Sequence, residues 1–224
     1  MKNQIKAVLF DLGGTLVHVE PAPEIFYKIL KVHGIECSVA EISKAWEKAN
    51  KQLGIEKMAD FGARFWVEFN LLVLEGLGIK ENALFLAEEI DREWWEYANF
   101  SLYPEALTVL KKLREKGLKV GVITNSLRAD VEKVLKKLGL ESFFDVKVCV
   151  DVAGKAKPAK EIFIYACEKL GLQPKNVLFV GDDAKIDYEG ARKAGLNALL
   201  IDMDEKQTCN VKKIKSLQEI LSVI

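Results

Sequence analysis

Residues 5–16 read IKAVLFDLGGTL, and this stretch decides the fold. Its first half is a short, continuous apolar run, which is typical of a strand buried inside a sheet. The next four residues, Asp11 to Gly14, predict a turn, because glycine adopts the backbone angles that a sharp reversal requires. The sequence therefore places a carboxylate, Asp11, directly at the carboxyl end of a buried strand.

Helices and strands alternate downstream of Pro104. The predicted helices cover residues 105–117, 129–139, 159–171 and 190–195, and the predicted strands cover 118–123, 144–150, 176–180 and 197–201. Continuous apolar strands between helices predict a parallel sheet with helices on both faces. We therefore expect a doubly wound parallel-sheet α/β core.

The segment between these regions has a different pattern. From Pro21 to Tyr97 strand signals stop and apolar residues recur at helical spacing, as at Ile25, Ile29 and Val32. This pattern predicts a compact four-helix insertion after the first strand. We expect a core domain of residues 1–16 and 98–224, and an inserted α-helical domain of residues 17–97.

Composition excludes several classes of protein. The 224 residues include 33 basic and 33 acidic side chains, which argues against nucleic acid or an anionic membrane as a partner bound through global charge. The initial apolar run is too short for a signal peptide, and no stretch approaches the ~20 apolar residues of a membrane span, so a cytoplasmic location is expected. The four cysteines have no C-x-x-C spacing, which predicts reduced thiols.

Polar residues follow the predicted strands, where doubly wound sheets bind their ligands. The segments are Asp11, Thr124-Asn125-Ser126, Lys157-Pro158, and Gly181-Asp182-Asp183 with Asp187 beyond. A carboxylate can act as a nucleophile or metal ligand, and hydroxyl and amide groups can hold phosphate oxygens. Lysine supplies positive charge, and adjacent carboxylates favour Mg²⁺.

Each segment also has an ordinary structural interpretation. Asp11 is equally typical of a turn, Ser126 or Asn125 of a helix cap, and a lysine before proline of an exposed loop. Asp182, Asp183 and Asp187 follow the predicted strand at 176–180. Helix capping explains one of these aspartates but leaves the other two unexplained. All four segments at one edge of one sheet favour the functional interpretation.

Taken together, these motifs resemble the haloacid dehalogenase (HAD) superfamily, in its phosphatase-like branch. The resemblance rests on DLGGTL at 11–16, TNS at 124–126, KP at 157–158 and GDDAKID at 181–187. It implies a Rossmann-like core with a helical cap of the first type. It also implies an aspartyl-phosphate on Asp11, phosphate binding by Thr124, Asn125 and Lys157, and Mg²⁺ held by Asp11, Gly13 and Asp182. Asp183 and Asp187 would lie in or near the outer shell, orienting waters or Lys157.

One position departs from the family pattern. Phosphatases of the family usually carry an acid/base aspartate two residues after the nucleophile, whereas this chain has Gly13. General acid–base groups contribute about 10²–10⁴ in rate, so we expect a Mg²⁺-dependent phosphatase that is weak on poor leaving groups. His18 is a candidate substitute, although a lone histidine in a linker is usually a bystander.

Other activities fit the same motifs. A 2-haloacid dehalogenase needs no acid for its leaving halide, a phosphonatase would recruit a cap lysine, and a catalytically impaired phosphate-binding module would keep the fold without turnover.

The expected partner is a small phosphorylated molecule, with the chain acting as a monomer or homodimer. In the helical insertion, Arg64 is a candidate to reach an anionic substrate, although its aromatic neighbours also fit a packed helix.

Overall fold

The structure is a computed structural model that describes residues 4–205 and 208–224. In those ranges the strands are β1 Ala7–Phe10, β2 Val17–Val19, β3 Phe100–Leu102, β4 Lys119–Ile123, β5 Val146–Val148, β6 Val177–Gly181, β7 Asn197–Ile201 and β8 Lys213–Ile214. The α-helices are α1 Ala22–Val32, α2 Val39–Gln52, α3 Met58–Phe61, α4 Phe65–Gly76, α5 Ala83–Tyr97, α6 Ala106–Glu115, α7 Arg128–Lys137, α8 Val150–Ala153, α9 Lys160–Leu170, α10 Gly190–Lys193 and α11 Ile220–Val223. The predicted core domain also includes residues 1–3 and 206–207, which lie outside the described ranges.

Six strands form one parallel sheet in the order β5-β4-β1-β6-β7-β8. The central strand, β1, pairs with β4 on one side and β6 on the other, so that Leu9 lies opposite both Gly121 and Phe179. The chain builds one half of the sheet through β4 and β5 and then returns to the other side of β1 through β6. The strand order therefore reverses between β1 and β6, where doubly wound sheets form a crevice for ligands.

The sheet is buried because its central strands are apolar on both faces. All four residues of β1 and all five of β6 are buried, as the continuous apolar runs predict. Helix α9 covers one face, where the Phe163 ring meets the Phe179 ring edge-on with 5.1 Å between centroids. This packing confirms the predicted α/β fold class and holds the carboxyl ends of β1 and β6 in fixed positions.

The chain divides into two compact units. One unit, called the core unit, runs to His18 and continues from Ser101 to Ile224, and the other, the helical unit, is Val19–Phe100. Within the helical unit, α4 packs on α2 and α5, and α1 packs on α2 and α5. The Trp46 ring has centroid distances of 6.1 Å to Phe26, 4.6 Å to Phe69 and 6.0 Å to Trp94. The helical unit is therefore held together by aromatic side chains.

Some features differ from the sequence-based expectations. Val32 was expected on the buried face of α1 but is 62% exposed, because the buried stripe runs through Ile25, Phe26, Ile29 and Leu30. The short ribbon of β2 and β3 was not anticipated.

Among the cysteines, all of which are free, Cys149 and Cys167 are buried and the other two are partly exposed. In the described ranges, none of the helices combines the length and apolar character that crossing a bilayer demands.

Candidate active site

Backbone hydrogen bonds hold the polar residues at the sheet edge. Asp11 directly follows β1, and its N–H donates to the Val180 carbonyl of β6 at 2.9 Å. Thr124 directly follows β4, and its N–H donates to the Val148 carbonyl of β5 at 3.0 Å. Each bond extends a strand ladder by one residue. The side chains of Asp11 and Thr124 are therefore positioned by the sheet, and both are buried.

A lysine ammonium lies between two carboxylates at this edge. Lys157 Nζ donates to Asp11 Oδ1 at 2.5 Å and to Asp187 Oδ1 at 2.7 Å. The Lys157 side chain is only 3% exposed. Burial favours the neutral amine, but the negative charges of Asp11 and Asp187 outweigh it and raise the pKa of Lys157 above its ordinary value. Lys157 therefore remains charged.

Three carboxylates gather around this ammonium. One oxygen from each of Asp11, Asp182 and Asp187 lies within 4.8 Å of the other two. Burial is the largest cause that raises the pKa of Asp11, to about 7, with Asp187 adding to the rise and Lys157 opposing it. The pKa of Asp182 is also raised, first by burial and then by the charge of Asp187. Three carboxyl groups therefore lie close together beside the Lys157 ammonium.

This donor set fits a hard divalent cation. Carboxylate oxygens are the ligands that Mg²⁺ prefers, and a bound cation would favour the ionised forms of Asp11 and Asp182, whose pKa values are raised first by burial and further by the charge of Asp187. Asp11 and Asp182, with the backbone carbonyl of Gly13, are the groups predicted to hold it.

The turn after β1 positions Asp182. Buried Thr15 donates a hydrogen bond from Oγ1 to Asp182 Oδ1 at 3.2 Å. Gly14 has a φ of +79°, and a Cβ atom there would overlap the Asp182 carboxylate. The sequence predicts only a turn at Gly14 and no role for Thr15, although both belong to the DLGGTL motif. The motif was the available signal, because Thr15 and Gly14 both lie against Asp182, which is 167 residues from Thr15.

The three aspartates after β6 have different surroundings. Asp183 caps the π-helical turn Ala184–Glu189, because its Oδ1 accepts from the N–H groups of Lys185 at 2.8 Å and Ile186 at 2.6 Å. Asp187 lies in that turn and accepts from Lys157 and, through Oδ2, from the Asp183 N–H at 3.1 Å. Capping therefore accounts for Asp183, whereas Asp182 and Asp187 face the lysine and Asp11.

The TNS segment makes local contacts and one contact with the lysine segment. Thr124 Oγ1 donates to Ser126 Oγ at 3.2 Å and accepts from the Ser126 N–H at 3.3 Å. The Asn125 side chain forms two hydrogen bonds with the backbone of Lys157. The second and third sequence motifs are thus joined directly.

Three further candidates have simpler surroundings. Gly13 is exposed, and a Cβ atom built there would meet nothing within 4 Å. His18 is also exposed and meets the edge of Tyr103, with 6.0 Å between ring centroids. In the helical unit, Arg64 is 66% exposed and pairs with Glu68 one turn further along the helix at 3.2 Å.

Comparison with known proteins identifies the family. The model of the haloacid dehalogenase-like hydrolases matches residues 5–195. A curated relative, the glyceraldehyde 3-phosphate phosphatase of Methanopyrus kandleri, is 29% identical, and the match covers 98% of this chain and 97% of that protein. Such relatives support the prediction of a phosphatase hydrolase.

Solved structures share the fold across the whole chain. The putative HAD-hydrolase YfnB from Bacillus subtilis, described as bound to magnesium, has a TM-score of 0.76 at 20% identity, with 98% of each chain covered. The 2-haloacid dehalogenase from Pseudomonas syringae has a TM-score of 0.74 at 23% identity, also with 98% of each covered. These likenesses confirm the fold, and the family match spans most of the sequence. The chain belongs to the haloacid dehalogenase-like hydrolase family and is an enzyme of that family.

Proposed function

We propose that the protein is a Mg²⁺-dependent phosphatase that acts on small phosphorylated metabolites through an aspartyl-phosphate on Asp11. The observation that carries this proposal is the buried Lys157 ammonium, held between Asp11 and Asp187 with the Asp182 carboxylate beside them. A buried cation next to an excess of carboxylates is a costly arrangement, and such arrangements are common at functional sites.

Asp11 is the proposed nucleophile. Its Oδ1 is held by Lys157, so Oδ2 is the atom that attacks phosphorus. The bond between phosphorus and the leaving oxygen breaks, and the phosphoryl group is carried by Asp11. A water molecule then attacks phosphorus and breaks the bond to Oδ2, which restores Asp11 and releases inorganic phosphate. Lys157 supplies positive charge to the phosphoryl oxygens during both steps.

The remaining residues of the site have supporting roles in the proposal. The Thr124 hydroxyl binds the transferred group, and Asp183 and Asp187 orient waters or Lys157. Asp11, Asp182 and the Gly13 carbonyl hold Mg²⁺, which when bound neutralises charge on the phosphate. The helical unit acts as a cap, and Arg64 is its candidate substrate residue.

Gly13 determines which substrates are hydrolysed fast. Where most phosphatases of the family have an acid/base aspartate, this chain has Gly13, which has no side chain to protonate a departing alkoxide. Aryl and acyl phosphates leave without that help, so we expect them to react faster than alkyl phosphates. The name of the Methanopyrus relative points to the opposite preference, since glyceraldehyde 3-phosphate is an alkyl phosphate. Substrate choice is therefore the sharpest test of the Gly13 argument.

The test is a panel of aryl, acyl and alkyl phosphates, including glyceraldehyde 3-phosphate, assayed with Mg²⁺ and with EDTA. We expect turnover with Mg²⁺ and a loss of at least about 10³-fold in kcat for Asp11→Asn, which keeps the shape of the side chain but removes the nucleophile. Circular dichroism of Asp11→Asn checks that the variant is folded.

Three results would contradict the proposal. Equal rates for alkyl and aryl phosphates would remove the role given to Gly13. Halide release from a 2-haloacid in EDTA would replace the phosphatase with a dehalogenase. Phosphate binding without turnover on any ester would leave a binding module.

A further inference from the structure

We propose that the Asn125 side chain is a positioning residue that holds Lys157 in place, and does not itself bind the transferred phosphate. This inference rests on the proposed function, because it assigns Asn125 a task within the same site. It replaces the expectation, drawn from family resemblance, that Asn125 contacts the phosphoryl group.

The geometry is a reciprocal pair of hydrogen bonds between a carboxamide and one residue's backbone. The Lys157 N–H donates to Asn125 Oδ1 at 2.7 Å, and Asn125 Nδ2 donates to the Lys157 carbonyl at 3.0 Å. Two hydrogen bonds from one planar group fix the rotation of the Asn125 amide as well as its distance from the Lys157 backbone. Lys157 thus engages Oδ1 and one N–H of Nδ2 of Asn125.

This contact matters because Lys157 has no helix or strand of its own to hold it. Lys157 lies between the end of α8 at Ala153 and the start of α9 at Lys160. Asn125, in contrast, is two residues beyond the last residue of β4. The amide pair therefore ties an irregular segment to the edge of the sheet, where Asp11 also lies.

The side chain of Lys157 transmits this constraint to its ammonium. Nζ must reach Asp11 Oδ1 at 2.5 Å and Asp187 Oδ1 at 2.7 Å, while lying 5.5 Å from the centre of the Phe179 ring. A displaced backbone at position 157 would lengthen both ion pairs. Misplacing a catalytic group by about 1 Å can cost about 100-fold in rate.

A rotation of the Asn125 amide toward a phosphate conflicts with these bonds. Turning the amide so that Nδ2 faces a phosphate would break its bond to the Lys157 carbonyl. It would also leave Oδ1, which repels phosphate oxygens, without the Lys157 N–H. The positioning role uses both polar atoms of the amide as they stand.

The first test compares Asn125→Ala with a matched control, Asn197→Ala. Asn197 also donates from its side-chain amide to backbone carbonyls, those of Lys175 at 2.9 Å and Val177 at 3.3 Å, but it begins β7 at the amino end of the sheet. We expect Asn125→Ala to lower kcat by about 10–100-fold and Asn197→Ala to leave it within about twofold. Equal effects of the two substitutions would overturn the proposal.

The second test separates positioning from direct contact. Inorganic phosphate binding is measured by calorimetry for Asn125→Ala in the wild-type and Lys157→Gln backgrounds, after circular dichroism of each variant. If Asn125 acts only through Lys157, its removal changes the phosphate Kd by less than about twofold once Lys157 is Gln. An equal loss of affinity in both backgrounds would show that Asn125 contacts phosphate and that the proposal is wrong.

A third measurement needs neither activity nor the Lys157→Gln variant. The Nζ resonance of Lys157, assigned by NMR from its own backbone, should shift in Asn125→Ala and stay in place in Asn197→Ala. An unmoved resonance in Asn125→Ala would overturn the positioning role. This readout holds even if the wild-type protein hydrolyses no phosphate ester, so failure of the proposed function and failure of the inference are distinguishable.

Discussion

The core unit and the helical unit bury different kinds of side chain. Among the described residues, the buried polar or charged ones of the core unit are Asp11, Thr15, Thr124, Lys157, Asp187 and Asp202. In the helical unit only Asn70 belongs to this group, and its amide donates to the Ala87 carbonyl at 3.2 Å. Aromatic contacts such as that of Trp46 with Phe69 fill the interior of the helical unit.

The pKa values of two acids in each unit are shifted in opposite directions. Burial raises the pKa of Asp11 and of Asp182 in the core unit. In the helical unit, hydrogen bonds from Ser38 lower the pKa of Glu41, and a hydrogen bond from Arg92 lowers that of Glu89. Hydrogen bonds therefore favour the charged forms of Glu41 and Glu89, whereas burial disfavours the charged forms of Asp11 and Asp182, as is common at functional sites.

The largest expected effect comes from adding the missing acid to the core unit. Gly13→Asp should raise kcat/KM for alkyl phosphates by about 10²–10⁴, because the new carboxyl group can protonate the leaving oxygen. The structure has room for it, since a Cβ atom at Gly13 meets nothing within 4 Å. Steady-state kinetics on an alkyl and an aryl phosphate check this, with Gly13→Asn as the matched control. A higher kcat/KM for the alkyl phosphate in Gly13→Asn, or an unchanged one in Gly13→Asp, would contradict the role given to position 13.

A matched pair of glycines compares the two units directly. Gly14 and Gly78 have the same φ of +79°, but a Cβ atom overlaps Asp182 at Gly14 and meets nothing within 4 Å at Gly78. Alanine at either site should lower the free energy of unfolding by about 1–2 kcal/mol through backbone strain. Only Gly14→Ala should also weaken Mg²⁺ binding, by about tenfold or about 1.4 kcal/mol, because the new Cβ atom would displace the Asp182 carboxylate. Denaturant unfolding and calorimetric titration measure the two quantities, and equal Mg²⁺ affinities would show that Gly14 serves the turn alone.

Protons should compete with Mg²⁺ at the core carboxylates. The pKa of Asp11 is raised to about 7, mainly by burial, so Asp11 binds a proton as the pH falls through that value. A protonated carboxyl group is a poor metal ligand, and the Mg²⁺ Kd should therefore rise up to about tenfold per pH unit below pH about 7. Titration between pH 5 and 8 checks the direction. A Kd that stays constant over this range would remove Asp11 from the metal site.

The smallest expected change in stability concerns the surface of the helical unit. Arg64→Ala breaks an exposed ion pair with Glu68, so the free energy of unfolding should change by no more than about 0.5 kcal/mol. Chemical denaturation tests this value. With stability unchanged, a raised KM in the same variant would report lost substrate contact, and an unchanged KM would remove Arg64 from the substrate-binding residues.

Strand positions were largely predictable because local pattern determines them. The run NALLI was expected as a strand and forms β7, and the run IKAVLF contains β1. Continuous apolar runs have few alternatives in an α/β protein. The β2–β3 ribbon was missed because its strands have three residues each, too few to show a period, and they pair across about 80 residues of sequence.

The candidate site was less predictable than the sheet. Three aspartates follow β6, but only the structure distinguishes Asp183, which caps a turn, from Asp187, which binds Lys157. The task of Thr15 depends on Asp182, which is remote in sequence. Such roles depend on which side chains come into contact in the folded chain. Residue type alone is compatible with several hydrogen-bond partners.

The amino-acid sequence by itself determined the wound sheet, the helical insertion and the kinds of group at the strand ends, because hydrophobic periodicity and turn chemistry act over a few neighbouring residues. Tertiary structure decided how those groups pair. Asn125 illustrates the difference: its type suits a phosphate ligand, a helix cap or a backbone bridge equally well. The position of the Lys157 backbone, 32 residues away, selects the bridge, since a partly buried amide bonds to whichever donor and acceptor the packed chain brings within reach.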